Sequence, residues 1–166
     1  QTQCSAHGPQ ILAWNFDWDD NIAYLKTPIL LYKKGKVIEV LSFFYNHVAF
    51  VAEWWKQLFG ESEGKDGKGI FPVSMIFSTD LHSMGQQMQD GMRNIFETFI
   101  MIDKLQHQVL IPEDQDNLDK FNDLAGKDLD YVNKQAFKAT AAAHFEGGIP
   151  NMTINLCQAD AFHLGQ

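Results

Sequence analysis

Cysteine and proline are scarce in this chain of 166 residues, which holds two cysteines and five prolines. Cys4 and Cys157 stand near opposite ends and belong to no C-x-x-C or mixed Cys/His spacing. The sequence therefore argues against a disulfide scaffold, a zinc site and a dithiol redox motif. No run of about 18 apolar residues occurs, and no basic and apolar leader opens the chain, so we expect neither a membrane span nor a signal peptide. The expected location is cytoplasmic.

Basic residues are also scarce relative to acidic ones. The chain has 21 acidic and 13 basic residues, a formal net charge of −8. This balance argues against nucleic acid or an anionic membrane as the main partner. The length suits one domain, which at this size buries roughly two thirds of its surface and so forms a real core.

Five short apolar segments bounded by turn residues predict strands. They are residues 37–44, 73–77, 98–102, 108–111 and 151–156. Several are almost continuously hydrophobic, which is typical of a parallel sheet covered on both faces.

Helical periodicity separates the predicted strands. One helix is predicted over about 48–59, one from Leu81 to Gly91 with Asp80 as its N-cap, and one over about 129–145 with Asp128 as its N-cap. The alternation predicts an α/β fold, a parallel-sheet three-layer αβα sandwich, with ligands at the carboxyl ends of its strands. Residues 1–20 lack a clean period and stay unassigned, and residues 21–166 are interpreted as the α/β domain.

Gln57 and Glu61 are four residues apart at the end of the first predicted helix, which places both side chains on one helix face. A carboxylate in such a position can act as a general base. A plain solvated helix end explains the same pattern.

His82 follows the predicted strand 73–77, at the strand edge where α/β sites lie. An imidazole there can accept or donate a proton, although a histidine that only completes a turn fits equally. Ser78, Thr79 and Ser83 beside it could hold an anion or simply cap the helix. The other histidines have no ligand spacing, and no metal site is expected.

Four glycines between residues 60 and 69 suggest a phosphate loop, but the spacing matches neither G-x-x-x-x-G-K-[ST] nor G-x-G-x-x-G. The pattern favours a tight turn that admits a ligand close to the backbone, or an ordinary surface turn.

Two long segments, 53–72 and 78–90, closely resemble the bacterial glucose-6-phosphate isomerase family in its second sugar-isomerase (SIS) domain. Shorter segments carry the same resemblance across residues 21–156, namely 31–36, 96–98, 124–127, 133–137 and 147–151. The resemblance implies a SIS-like fold.

The resemblance also implies roles for three residues. Glu61 resembles the base that moves a proton between two carbons through a cis-enediol, as glucose 6-phosphate and fructose 6-phosphate interconvert. Gln57 resembles a substrate-contacting glutamine. His82 resembles the ring-opening histidine that reaches the site from a neighbouring subunit, which implies a homodimer. This chemistry needs a base and polar donors, so no cofactor is expected.

Departures from the family pattern are equally informative. The chain lacks the family's first SIS domain with its phosphate-binding Ser/Thr loops, and it lacks the C-terminal segment with the catalytic lysine. We therefore interpret residues 21–166 as a SIS-like domain truncated at its C-terminus, which is expected to be inactive or barely active alone. The alternative is a non-catalytic SIS module that binds a sugar phosphate or dimerises.

Overall fold

The computed structural model describes residues 13–14 and 18–164, with side chains from Lys26 onward. Within these residues five strands form a single sheet in the order β1-β5-β4-β2-β3. Every pair of neighbouring strands is parallel. The strands are β1 (Ala13–Trp14), β2 (Ile38–Phe43), β3 (Phe71–Ile76), β4 (Ile95–Lys104) and β5 (Asn151–Gln158).

Helices connect the strands. They are α1 (Trp18–Lys33), α2 (Ala49–Glu63), α3 (Phe77–Asp80), α4 (Met84–Asp90), α5 (Leu129–Glu146) and α6 (Ala161–Leu164), with 3₁₀ turns at Asn46–Val48 and Asn122–Leu124. Connections between parallel strands of one sheet are right-handed. The connection from β2 to β3 moves across the sheet in one direction, and the connection from β4 to β5 moves in the opposite direction. Helices α1 and α2 therefore cover one face, and α3, α4 and α5 cover the other. The three-layer αβα prediction is confirmed.

The core is densest around β4, whose residues from Phe96 to Ile102 are all buried. On the face covered by α5, the Phe99 ring lies 5.0 Å from that of Phe137 and 6.0 Å from that of Phe77. Because β4 is covered on both faces, its buried residues do not alternate with exposed ones.

The strand predicted at 108–111 does not form. Leu110 makes only an isolated antiparallel bridge with Asp128, and Val109 and Leu110 are more than half exposed. The segment belongs to a long surface connection between β4 and α5. The places on both sides of β4 are taken by β2 and β5, so this apolar run cannot pair with the strand that precedes it.

The helix predicted from Leu81 begins three residues later than expected, and Asp80 is not its N-cap. Asp80 ends α3, and its Oδ2 accepts the backbone N–H of Ile76 at 2.9 Å. Helix α4 begins at Met84, and Ser83 before it makes no side-chain cap. Gly91 does end α4, as the sequence predicts.

The predicted bounds of the last long helix are confirmed. Asp128 is the N-cap of α5, and its side chain accepts the backbone N–H of Asp130 at 3.1 Å. Gly147 follows the last helical residue, and Gly148 has a φ of 87°, a left-handed conformation that favours glycine.

Strand β3 lies at one edge of the sheet and contains a proline. The N–H of Phe71 donates to the carbonyl oxygen of Val37, on the side of β2. The backbone polar groups of the alternate residues Pro72, Ser74 and Ile76 therefore point away from β2, towards the open edge of the sheet. Proline has no N–H to donate and is tolerated in an edge strand for that reason.

The first strand falls in the segment that the sequence leaves unassigned. Ala13 and Trp14 pair with Thr153 and Ile154 of β5. Residues 1–12 and 15–17 of that segment lie outside the described residues.

Candidate active site

The pair predicted to share a helix face does so. Gln57 and Glu61 lie one turn apart on α2, and Nε2 of Gln57 donates to Oε1 of Glu61 at 3.2 Å. Both side chains are exposed. The hydrogen bond leaves the second carboxylate oxygen of Glu61 open to a ligand, and this pairing holds both groups on the outer side of the helix.

A hairpin of two central residues follows this helix. Lys65 and Lys68 form an antiparallel bridge around Asp66 and Gly67, whose φ values are 53° and 69°. This Asp-Gly pair with positive φ is typical of a type I′ turn. The glycine-rich segment is therefore a tight turn, and its backbone packs on the end of α2, because a Cβ at Gly69 would lie 2.5 Å from the carbonyl oxygen of Glu63.

His82 lies in the turn between α3 and α4, directly beyond the carboxyl end of β3, and is exposed. Two neighbouring hydroxyls act locally: Oγ1 of Thr79 donates to the carbonyl of Ile76, and Oγ of Ser83 donates to the carbonyl of Asp80. Oγ of Ser78 donates instead to Oδ1 of Asn46 at 3.5 Å. The position of His82 at a carboxyl edge agrees with the sequence interpretation.

Glu61 does not share that edge. Helix α2 runs back from the carboxyl end of β2, and the turn after Glu63 leads within a few residues to the amino end of β3. Glu61 and His82 therefore flank opposite ends of β3. Six strand residues span about 17–20 Å. The sequence predicts a site at the carboxyl ends of the strands, with Glu61 as well as His82 near that edge, and for Glu61 this prediction is wrong, because helix α2 runs back across the sheet before it reaches residue 61.

A buried polar chain was missed by sequence reasoning. Oγ of Ser42 donates to Oε1 of Glu97 at 2.5 Å, and Oε2 of Glu97 lies 2.8 Å from Nδ1 of His144. All three side chains are buried. Burial raises the pKa of Glu97, and the hydrogen bonds from His144 and Ser42 oppose that rise. The sequence signal was a set of polar residues inside strands that are otherwise mostly apolar, namely Glu39 and Ser42 in β2 and Glu97 and Thr98 in β4.

His144 also forms part of the floor of a groove between α4 and α5. The groove has a volume of about 160 Å³, and its walls include Leu81, Gln89 and Thr140. It lies beside the turn that carries His82.

A second polar network fills the carboxyl edge between β2 and β4, where the direction of the chain reverses and α/β sites often lie. The buried hydroxyl of Tyr45 donates to Oδ1 of Asp130 at 2.9 Å, and Lys134 lies 2.7 Å from the other carboxylate oxygen. Burial, and then the hydrogen bond to Asp130, raises the pKa of Tyr45. This edge is stabilised by internal contacts, so the more accessible candidate groups are those on α2 and in the turn at His82.

Five curated proteins that match this chain strongly are all glucose-6-phosphate isomerases. The chain is 54% identical over 149 residues to the glucose-6-phosphate isomerase of Parabacteroides distasonis, which covers 89% of this chain and 33% of that protein. It is 51% identical to that of Caldanaerobacter subterraneus and 50% identical to that of Enterococcus faecalis, each over 151 residues. The chain is a partial relative of the glucose-6-phosphate isomerases. It spans about a third of the length of the curated isomerases that it matches.

A solved structure agrees with the fold. A hypothetical protein from Thermus thermophilus matches with a TM-score of 0.77 at 23% identity, covering 89% of this chain and 36% of that protein. No protein-family model matches the chain.

Two further properties bear on the class of site. Among the described residues, no group of three or more His, Cys, Asp and Glu side chains is placed to hold a metal ion. No helix in the part of the chain that the structure describes is long and apolar enough to cross a membrane.

Proposed function

We propose that this chain carries the proton-transfer part of a cytoplasmic glucose-6-phosphate isomerase, which interconverts glucose 6-phosphate and fructose 6-phosphate. The observation that carries the proposal is identity of about half of all residues with isomerases over nearly the whole chain. The exposed pair of Gln57 and Glu61, joined by a hydrogen bond on α2, supports it.

Glu61 is the base in this mechanism. In the open-chain aldose its carboxylate takes the proton from C2 while the C1 carbonyl oxygen takes up a proton, which gives a cis-enediol. The resulting carboxylic acid then returns its proton to C1 while the C2 hydroxyl loses one, which forms the ketose and restores the carboxylate. Gln57, one turn earlier, contacts the substrate and keeps the carboxylate oriented. No metal or organic cofactor is needed for these steps.

His82 opens the sugar ring. Because Glu61 and His82 flank opposite ends of β3, one copy of the chain does not bring them to the same substrate, and the histidine comes from a second subunit of a homodimer. The SIS-like domain over residues 21–166 supplies both groups. A non-catalytic SIS module that binds a sugar phosphate is the second candidate, which the coverage of only a third of the relatives' length favours.

The deciding experiment uses a full-length chimera, in which this chain replaces the matching 149 residues of the Parabacteroides isomerase. Glu61→Gln should lower kcat by roughly 10²–10⁴ with little change in KM, because a general base acts only in the chemical step. Glu63→Gln, an exposed glutamate on the same helix, is the matched control and should keep normal turnover.

Exchange of the C2 proton with solvent deuterium gives a second measurement of the same step. It should stop in Glu61→Gln and continue in Glu63→Gln, and persistence in Glu61→Gln would reject Glu61 as the base. His82→Ala should slow turnover of the closed ring more than that of an open-chain substrate. Sugar-phosphate binding with no isomerisation in the unmutated chimera would favour the non-catalytic module.

A further inference from the structure

The turn that carries His82 holds its backbone, while the imidazole itself projects freely. The side chain of His82 is exposed, and among the described residues it has no hydrogen-bond partner. The direction of the ring is therefore set through the backbone on either side of it. The residues that hold this backbone decide how accurately the imidazole is placed.

Asp80 ties the turn to strand β3. Its Oδ2 accepts the backbone N–H of Ile76 at 2.9 Å. Ile76 is the last residue of β3, and its N–H points towards the open edge of the sheet. A hydrogen bond to a carboxylate is stronger than one between neutral groups. The carboxylate of Asp80 therefore fixes the turn to the end of the sheet.

The main chain of Asp80 also holds the far side of His82. Its carbonyl oxygen accepts the N–H of Ser83 at 3.1 Å and the Oγ of the same serine at 3.2 Å. The segment from Asp80 to Ser83 is thus closed into one tight turn with His82 inside it. Asp80 is the residue that joins this turn to the strand.

Packing fixes only the beginning of this segment. Phe77 is buried, and its ring lies 6.0 Å from that of Phe99 and 5.9 Å from that of His144. Ser78 and Thr79, which follow it, are exposed. The hydrogen bonds beyond them therefore determine where the rest of the turn lies.

We propose that Asp80 is a positioning residue for ring opening, which places the imidazole of His82 against the closed sugar by holding the turn to β3. The inference rests on the proposed function, which assigns ring opening to His82. In that proposal the sugar lies on a second subunit, so the imidazole has to reach it from a backbone held in one position. A misplacement of about 1 Å can cost roughly 10² in rate. Asp80 acts through His82 and does not touch the sugar.

Interconversion of the sugar's anomers tests the proposal, because it requires ring opening but no proton transfer at C2. In the full-length chimera, Asp80→Ala should slow the catalysed exchange between the α and β anomers of glucose 6-phosphate by roughly 10–10²-fold, as followed by NMR. Asp80→Asn keeps an oxygen that can accept the N–H of Ile76, so it should recover most of the rate. Asp90 is exposed and bonds to Gln86 on its own helix, so Asp90→Ala is the matched control and should leave the rate unchanged.

A double variant separates positioning from a general structural effect. If Asp80 acts only through His82, Asp80→Ala should add nothing to the loss already caused by His82→Ala. A further loss in the double variant, or an Asp80→Asn variant as slow as Asp80→Ala, would overturn the proposal. If Asp80→Ala does not fold, Ser83→Ala replaces it in the same cycle. This variant removes only the Oγ donor to the carbonyl of Asp80 and should slow the exchange to a smaller extent.

Failure of this inference differs from failure of the proposed function. Normal anomer exchange in His82→Ala would reject ring opening by His82, and with it the proposed function of that residue. Slow exchange in His82→Ala, together with normal exchange in Asp80→Ala, would reject only the positioning role of Asp80.

Discussion

The carboxylate of Glu97 on β4 and the imidazole of His144 on α5 lie 2.8 Å apart and are both buried. They join the sheet to the helix that covers it. Because Ser42 donates to the other oxygen of Glu97, each carboxylate oxygen has one polar neighbour. Phe77 packs edge-on against the His144 ring at 5.9 Å, so the pair also contacts the start of the segment that carries His82.

Replacing Glu97 by glutamine should flatten the dependence of stability on pH. Burial raises the pKa of Glu97, so the folded state keeps its proton to a higher pH than the unfolded state does. Its contribution to the free energy of unfolding is thus fully present below the ordinary pKa of 4.5 and is lost as pH rises through the raised pKa. Urea titrations at a series of pH values should show a smaller loss in Glu97→Gln. The exposed Glu63→Gln should keep the native profile, and an unchanged profile in Glu97→Gln would contradict the assignment.

Removing the hydroxyl of Tyr45 should destabilise the fold. In Tyr45→Phe the buried Oδ1 of Asp130 loses its donor, which costs about 1–3 kcal/mol. Tyr131→Phe is the matched control, since the Tyr131 side chain is 41% exposed and should change stability by less than about 0.5 kcal/mol. Chemical unfolding of the three proteins measures both effects. Equal midpoints for Tyr45→Phe and the parent chain would show that the network adds nothing.

The N-cap of α5 should contribute measurably to the free energy of unfolding. Asp128→Ala removes the acceptor of the Asp130 N–H and should lower the free energy of unfolding by about 0.5–2 kcal/mol. Asp128→Asn keeps an oxygen that can accept the same N–H, so it should recover most of the loss. Thermal and urea unfolding distinguish the two variants, and an asparagine variant as unstable as the alanine variant would mean that the charge matters more than the cap.

Features that depend on neighbouring residues were predictable from the sequence. The bounds of α5 follow from Asp128 at one end and two glycines at the other, and the contact between Gln57 and Glu61 follows from a spacing of four. The strand expected at 108–111 is wrong because both positions beside β4 are occupied by β2 and β5, which an apolar run does not reveal.

Features that depend on distant residues were not predictable. Ser42 and Glu97 are 55 residues apart, and Glu97 and His144 are 47 residues apart. No local sequence pattern therefore predicts the hydrogen bonds that join these three residues. The position of Glu61 relative to His82 depends on the direction of α2 across the sheet. A family resemblance marks such residues as functional, but it does not say which end of the strand each one occupies.

The outer edge of β3 offers few hydrogen bonds to a foreign strand. Of its three outward positions, Pro72 has no N–H, and the N–H of Ile76 is already bonded to Asp80. Only Ser74 keeps an outward donor, so another chain cannot extend the sheet here with a regular ladder. Edge-to-edge aggregation, the common hazard of open parallel sheets, is thereby discouraged on this side, and contacts between molecules at this edge must be made by side chains.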